Sequence, residues 1–290
     1  TETLPMPVRG EQTRTFSLAD LFNHHSKTAT NRRLTVEFTA NPAWYAVQAL
    51  PALSQPRNDD AISWATSWYA NTMASYIMNA QPRIRAIFDS WKLGGGTKET
   101  FLSNLQKNQE VKNILLSESP WVMEATSESE QKERIATLFD LNNIRNNNAV
   151  ALLKLQELQL PDGSWYKGMN GSLFVTDFIV EQNARIALLT GKPLEGAALN
   201  MQRSAFNYLH KEALQEYRSI REAEKNGSKS QGISRSALKY LYLIAISDEK
   251  VPASMKEAYT YFLSRVAPSL SQQSVTEKAW SAIILQKVGK

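Results

Sequence analysis

The sequence predicts an all-α protein of antiparallel helical hairpins, preceded by a short extended segment. Three observations carry that expectation. From Pro42 onward, apolar residues recur at steps of three and four, the period of a helix with one buried face. Breaks such as Gly94-Gly95-Gly96 and Asp162-Gly163 are brief, so successive helices fold back on one another. Strict alternation is clear only near the start, where Leu34, Val36 and Phe38 alternate with Thr35, Glu37 and Thr39. That pattern suits a strand with one buried face. Residues 1–40 are therefore expected to form an extended β segment, and residues 41–290 the helical domain. The first segment is too small to bury much surface alone. It either packs on the following domain or belongs to a β domain upstream.

Taken in order, Ala61, Ala65, Trp68, Thr72, Met73 and Tyr76 give the first helix its apolar face, with Asn58 or Asp59 as its cap. "PRIRAIFDSWK" reads as a second helix, with Pro82 early in it and the three glycines ending it. "KETFLSNLQKN" and "EVKNILL" read as short helices, and "SESPWVMEATSESE" as a loop held open by Pro120. "EQKERIATLFDLNNIRNNNAVALLKLQELQ" is the longest helical stretch, broken at the asparagines of 142–148. After a turn-rich loop, "LFVTDFIVEQNARIALLTG" ends at Gly191. The next helix runs to Lys225, and its charged part from Glu212 onward is expected to project into solvent. Three more helices follow, "SRSALKYLYLIAI", "PASMKEAYTYFLSRV" and "SQQSVTEKAWSAIILQKV".

Composition narrows function mainly by exclusion. The 290 residues are 42% hydrophobic and 21% charged, which suits a soluble globular chain with one large core or two modest ones. The net charge of +5 is spread out, and the densest basic spot is Asn31-Arg32-Arg33, which reads as a solvated loop. No nucleic-acid partner is indicated. There is no cysteine, so disulfides, thiolate metal sites and cysteine nucleophiles are excluded, while the compartment stays open. No run approaches the ~18 apolar residues of a membrane span. The chain begins with Thr and reads as processed or excised.

The most informative local motif is "KLQELQLPDGSWYKG". A helix ends within Gln156–Gln159, Gly163 allows a turn with positive φ, Trp165 can cover the helix end, and a glutamine amide can bond carbonyls left free there. Such loops resemble those of terpene cyclases and of complement thioester domains, whose helical hairpins stand in a ring. The expected architecture is therefore an α/α-toroid.

Further blocks extend the resemblance. "LTVEFTANPAWYAVQALP", "WYAN", "PRIRAIFDSWK", "LSNLQKNQEVKNILLSESPWVMEA", "RIATLFDLNNIRN" and "LQLPDGSWYKGMNGS" together resemble bacterial alpha-2-macroglobulin family proteins, most closely the large Bacteroidetes type. The resemblance runs from about Leu4 to the last helix. It implies a thioester domain within a much larger protease-trapping protein, with residues 1–40 as the tail of the preceding β domain. It also implies a periplasmic or cell-surface location. The implied partners are the other domains of that protein and, through it, proteases; any membrane contact is through a distant anchor. The family's toroid continues past Lys290, so an incomplete ring is expected. In the family, a Cys-x-Glu-Gln motif between "LP.L" and "YAN" forms an internal Cys–Gln thioester that acylates the attacking protease. Here an ungapped alignment from Tyr69-Ala70-Asn71 places Asp60 at the cysteine, followed by Ala61, with Ile62 for Glu and Ser63 for Gln. Asp and Ser cannot make the thioester bond. The expectation is a thioester-less, non-enzymatic domain with a structural or interaction role. It has no catalytic residue, cofactor or metal, and the parent protein traps proteases without a covalent bond.

Other chemistry is weaker. Asp59-Asp60 could bind magnesium diphosphate as in terpene cyclases, but Ile62 and Ser63 stand where the next acid belongs. A toroid carbohydrate-active enzyme, lyase or hydrolase, would need His, Tyr and Arg converging in a groove. The candidates are His24, His25 and His210 with Tyr166, Tyr208, Tyr240 and Tyr259. Ser63, Ser67 and Ser75 have no evident base beside them. Trp64, Trp68, Tyr69 and Tyr76 could line a ligand groove but are expected as core. A plain protein-interaction module, marked by a large exposed apolar patch, is the remaining alternative.

Overall fold

The computed structural model describes residues 27–28, 43–80, 85–86, 89, 113, 128–167, 170–228 and 232–289, and the chain divides into two compact units, Thr1–Ala40 and Asn41–Lys290. The expected strand at Leu34–Phe38, His24 and His25 lie outside the described residues. So does most of the segment from Gln81 to Ser127.

The second unit is predominantly helical. Its described helices are α1 (Ala43–Leu53), α2 (Ala61–Ala80), α3 (Glu128–Asn146), α4 (Asn148–Glu157) and α5 (Leu173–Thr190). They continue with α6 (Gly196–Lys225), α7 (Arg235–Ser247), α8 (Lys256–Val266) and α9 (Val275–Lys287). Short 3₁₀ turns, Ala253–Met255 and Ala267–Gln272, flank α8. Between α4 and α5, β1 (Tyr166–Lys167) pairs antiparallel with β2 (Asn170–Gly171).

Helix boundaries follow local chemistry. The asparagine-rich stretch breaks at Asn147, between α3 and α4. Ser172 caps α5 by accepting from the Val175 amide, and Gly191 ends it at φ 64°. Ser234 caps α7 through the Ala237 amide at 3.0 Å. The last helix starts at Val275, not at Ser271, because Ser274 and Glu277 form a capping box there.

Helix α2 packs on α1, α3, α4 and α5, so it is enclosed rather than one-faced. Ala61, Ala65 and Trp68 are core as expected, but Tyr76 is 37% exposed, and Ser67, Ala70, Asn71, Ala74 and Met78 are buried instead. Small side chains let four neighbours approach together. The first half of α2 joins a large core with Trp165, Phe206 and Phe262. The second half joins a separate core with Leu50, Ile135, Leu138 and Leu141. Each fully buried Leu or Ile there contributes about 2 kcal/mol.

Contacts then alternate along the chain. Helix α5 packs on α2 and α7, and α7 packs on α5 and α9. Helix α6 packs on α4, α5, α7 and α8. Two rows result, α2-α5-α7-α9 and α4-α6-α8. The charged end of α6 is largely exposed, as expected, at Arg218, Arg221, Glu222 and Lys225, but one side of it is held. Tyr217 is buried and donates to Glu257 at 2.6 Å, while Glu224 accepts from Tyr261 at 2.7 Å and pairs with Arg265 at 3.1 Å. Tyr217 and Ile220 give this end an apolar side that the run of charges conceals in the sequence.

Candidate functional site

The stretch from Gln48 to Asn71 holds the end of α1, a turn and the start of α2. The turn is pinned from behind. Ser67 Oγ donates to the Ser54 carbonyl at 2.5 Å, and Asn71 Nδ2 donates to the same oxygen at 3.3 Å. Its leading edge is held only locally. Asp60 caps α2: Oδ1 accepts from the Ser63 amide at 2.8 Å, and Oδ2 accepts from Ser63 Oγ at 3.1 Å. Asp59, an expected cap, instead accepts from Trp64 Nε1 at 2.7 Å. Ala61 is buried, Ile62 and Ser63 are half-buried, and Asp60 is exposed.

Of the four residues aligned with the Cys-x-Glu-Gln motif, Asp60 and Ser63 meet, while Ala61 and Ile62 pack inward on the core. The carboxylate and hydroxyl answer one another at a helix start, where a carboxylate also favours the positive end of the dipole. Both aspartates are engaged by protein donors. Among the described residues no group of three or more His, Asp or Glu is placed to hold a metal ion.

The loop after α4 is built differently. Trp165 is fully buried, and its Nε1 donates to the Leu155 carbonyl at 2.9 Å, one of the helix-end acceptors that α4 leaves free. Gln159 Nε2 donates to the Gly163 carbonyl at 2.9 Å and to the Met201 carbonyl of α6 at 3.0 Å. Gly163 has φ 91°, and a Cβ there would lie 1.9 Å from the Ser204 carbonyl oxygen. Asp162 Oδ1 accepts from the Ser164 amide at 3.0 Å and from Ser164 Oγ at 2.7 Å. Those two bonds hold its carboxyl below the usual carboxylate range.

A cavity of about 360 Å³ lies between the first turns of α5 and α7 and the middle of α6. Leu173, Leu209 and Ala213 line it with Asp177, Glu212, Glu216, Ser219, Ser236 and Tyr240. Burial pushes the Asp177 carboxyl up to about 7. Behind Tyr240, His210 Nδ1 lies 2.9 Å from the tyrosine hydroxyl, and burial lowers the imidazole's affinity for a proton.

The aromatic and hydroxyl candidates do not converge. Of Tyr166, Tyr208, Tyr240 and Tyr259, only Tyr240 lines this cavity, and no arginine does. Trp68 is core, Trp64 and Tyr69 pack partly buried against the core, and Ser67 is committed to Ser54. Sequence reasoning missed Asp177, Glu212 and Glu216. The one available signal was the lone acid in the apolar run "LFVTDFIV". No family model, curated protein or solved structure matches the chain.

Proposed function

We propose that residues 41–290 form part of an α/α-toroid, the thioester-like domain of an alpha-2-macroglobulin-like protein of the bacterial envelope, without the thioester. The reading carries no catalysis. The domain packs against other domains of its parent and presents surface, and the parent holds proteases without a covalent bond, as an endopeptidase inhibitor. The observation that carries it is the Asp60–Ser63 cap, at the place where the resemblance puts the thioester. A cap there preserves the helix start while supplying neither a thiol nor a glutaminyl carbonyl. Two further features support the toroid. Helices α2, α5, α7 and α9 touch in sequence as an inner row would, with α4, α6 and α8 behind them. The loop through Trp165 closes one hairpin onto the next.

The carbohydrate-active alternative needs His, Tyr and Arg in one groove. Here His210 and Tyr240 face one another in the core, and the cavity lining holds no Arg. The test is covalent. The chain is incubated with methylamine, or with an active serine protease, then denatured and weighed. Unchanged mass and no protease conjugate are expected. A stable adduct with either one, or turnover of any polysaccharide by the chain, sinks the reading.

A further inference from the structure

The cavity between α5, α6 and α7 has no part in the cap chemistry at the start of α2. Its volume of about 360 Å³ lies within the range of small-molecule sites. Its lining combines apolar Leu173, Leu209 and Ala213 with the three carboxyl groups of Asp177, Glu212 and Glu216. No Lys, Arg or His is among its lining residues. The cation that acts on it, Lys239, is committed elsewhere. Its Nζ pairs with Glu181 and lies 4.5 Å from the Trp280 ring centroid and 5.1 Å from that of Tyr242. Glu216 already accepts from the Ser234 and Ser236 hydroxyls. Asp177 has no hydrogen-bond donor among the described residues. It is a half-buried acid on the wall of a cavity whose lining supplies no counter-charge.

We propose that this cavity binds an alkylammonium group, a primary amine on a short apolar stem, with Asp177 as its principal counter-ion. The stem lies against Leu173, Leu209 and Ala213, and the ammonium takes the carboxylates as acceptors. A lysine side chain of a partner and a free aliphatic amine share that chemistry. Binding depends on pH with a definite sign. Glu181 of the same helix disfavours ionisation of Asp177, and Lys239 of α7 favours it. Tyr208, Glu212 and Glu216 of α6 and Tyr240 of α7 are the other titratable groups around it. With its carboxyl at about 7, Asp177 must release a proton before it can pair with a cation. Affinity therefore rises with pH, about tenfold between roughly pH 6 and 8.

The site stands apart from the domain assignment. The mass test above reads a covalent bond after denaturation, whereas this one reads reversible binding, so either can fail alone. The full chain is titrated with n-butylammonium, with n-butanol as the neutral control and Nα-acetyl-lysine methylamide as the peptide arm, followed by amide NMR shifts. Saturable shifts confined to 173–177, 209–219 and 236–240 are expected with butylammonium and not with butanol. If the acetyl-lysine probe shifts the same amides, the ligand is a peptide side chain; if only butylammonium does, it is a free amine. Asp177→Asn is expected to lose about tenfold or more in affinity at pH 8, and its pH dependence with it. Glu212→Gln should weaken binding less and keep the pH dependence. Equal shifts with butanol, no saturable shift, or wild-type binding by a folded Asp177→Asn chain would overturn the site. Should Asp177→Asn not fold, pH-independent binding by the wild-type chain overturns it alone.

Discussion

Two turns in this molecule use the same chemistry to different ends. At the start of α2, Asp60 accepts the amide and hydroxyl of Ser63. In the loop after α4, Asp162 accepts the amide and hydroxyl of Ser164. The difference lies in what surrounds them. Ser164 is buried beside Trp165, and the neighbouring Gly163 presses on the α6 backbone. Asp60 faces solvent, and its carboxylate bonds only within the first turn of its own helix. One turn is held by long-range contacts through Gln159, Gly163 and Trp165. The other is pinned behind by Ser67 and Asn71, and its leading edge carries only a local cap.

The sharpest way to break the comparison is Trp165→Ala. It empties a fully buried site and leaves the Leu155 carbonyl without its donor. A loss of about 4 kcal/mol is expected in urea unfolding. A loss no larger than that of a surface substitution would mean the loop does not hold the hairpins together. Gly163→Ala comes next, at about 3 kcal/mol. The new methyl would meet backbone rather than a flexible side chain, at a φ that disfavours any Cβ.

How much of this was legible in the sequence differs between the two turns for the same reason. "DGSW" announced itself because Gly and Trp at that spacing solve a backbone problem: Gly163 supplies the positive φ and Trp165 the donor for a helix end. Helix boundaries set by Ser172, Ser234, Asn147 and Gly191 were readable likewise, being local. Enclosure was not. Nothing in the spacing of α2 says that four helices surround it, so the helical period puts Tyr76 in the core and leaves Asn71 out, the reverse of what the structure shows. The cap falls one or two residues later than the sequence suggests, because three consecutive residues, Asn58, Asp59 and Asp60, all suit the position. Asp177, Glu212 and Tyr240 come from three helices, so only packing assembles their cavity.

Asp60→Ala tests the weaker turn. It removes the cap from the Ser63 amide, and about 1 kcal/mol is expected, with Asp60→Asn recovering most of it. Thermal unfolding of the pair checks this. If Asp60→Ala cost as much as Gly163→Ala, the leading edge would be held by more than its own helix.

The smallest effect is the most diagnostic of embedding. Asp162→Asn keeps an acceptor for Ser164 but removes the charge, and no more than about 0.5 kcal/mol should be lost at neutral pH. Its sign with pH is fixed. The folded chain holds this carboxyl below its ordinary value of 3.8, first through the Ser164 hydroxyl and then through its amide. The ionised form therefore stabilises the native state at every pH above 3.8, and that contribution fades as pH falls through the lower folded value. Replacing Asp162 should flatten the acid limb of the stability profile below 3.8 and leave the rest alone. Because the side chain is exposed, the flattening should be modest. An acid limb of wild-type steepness in Asp162→Asn would show that the carboxylate is not tied to its turn in solution.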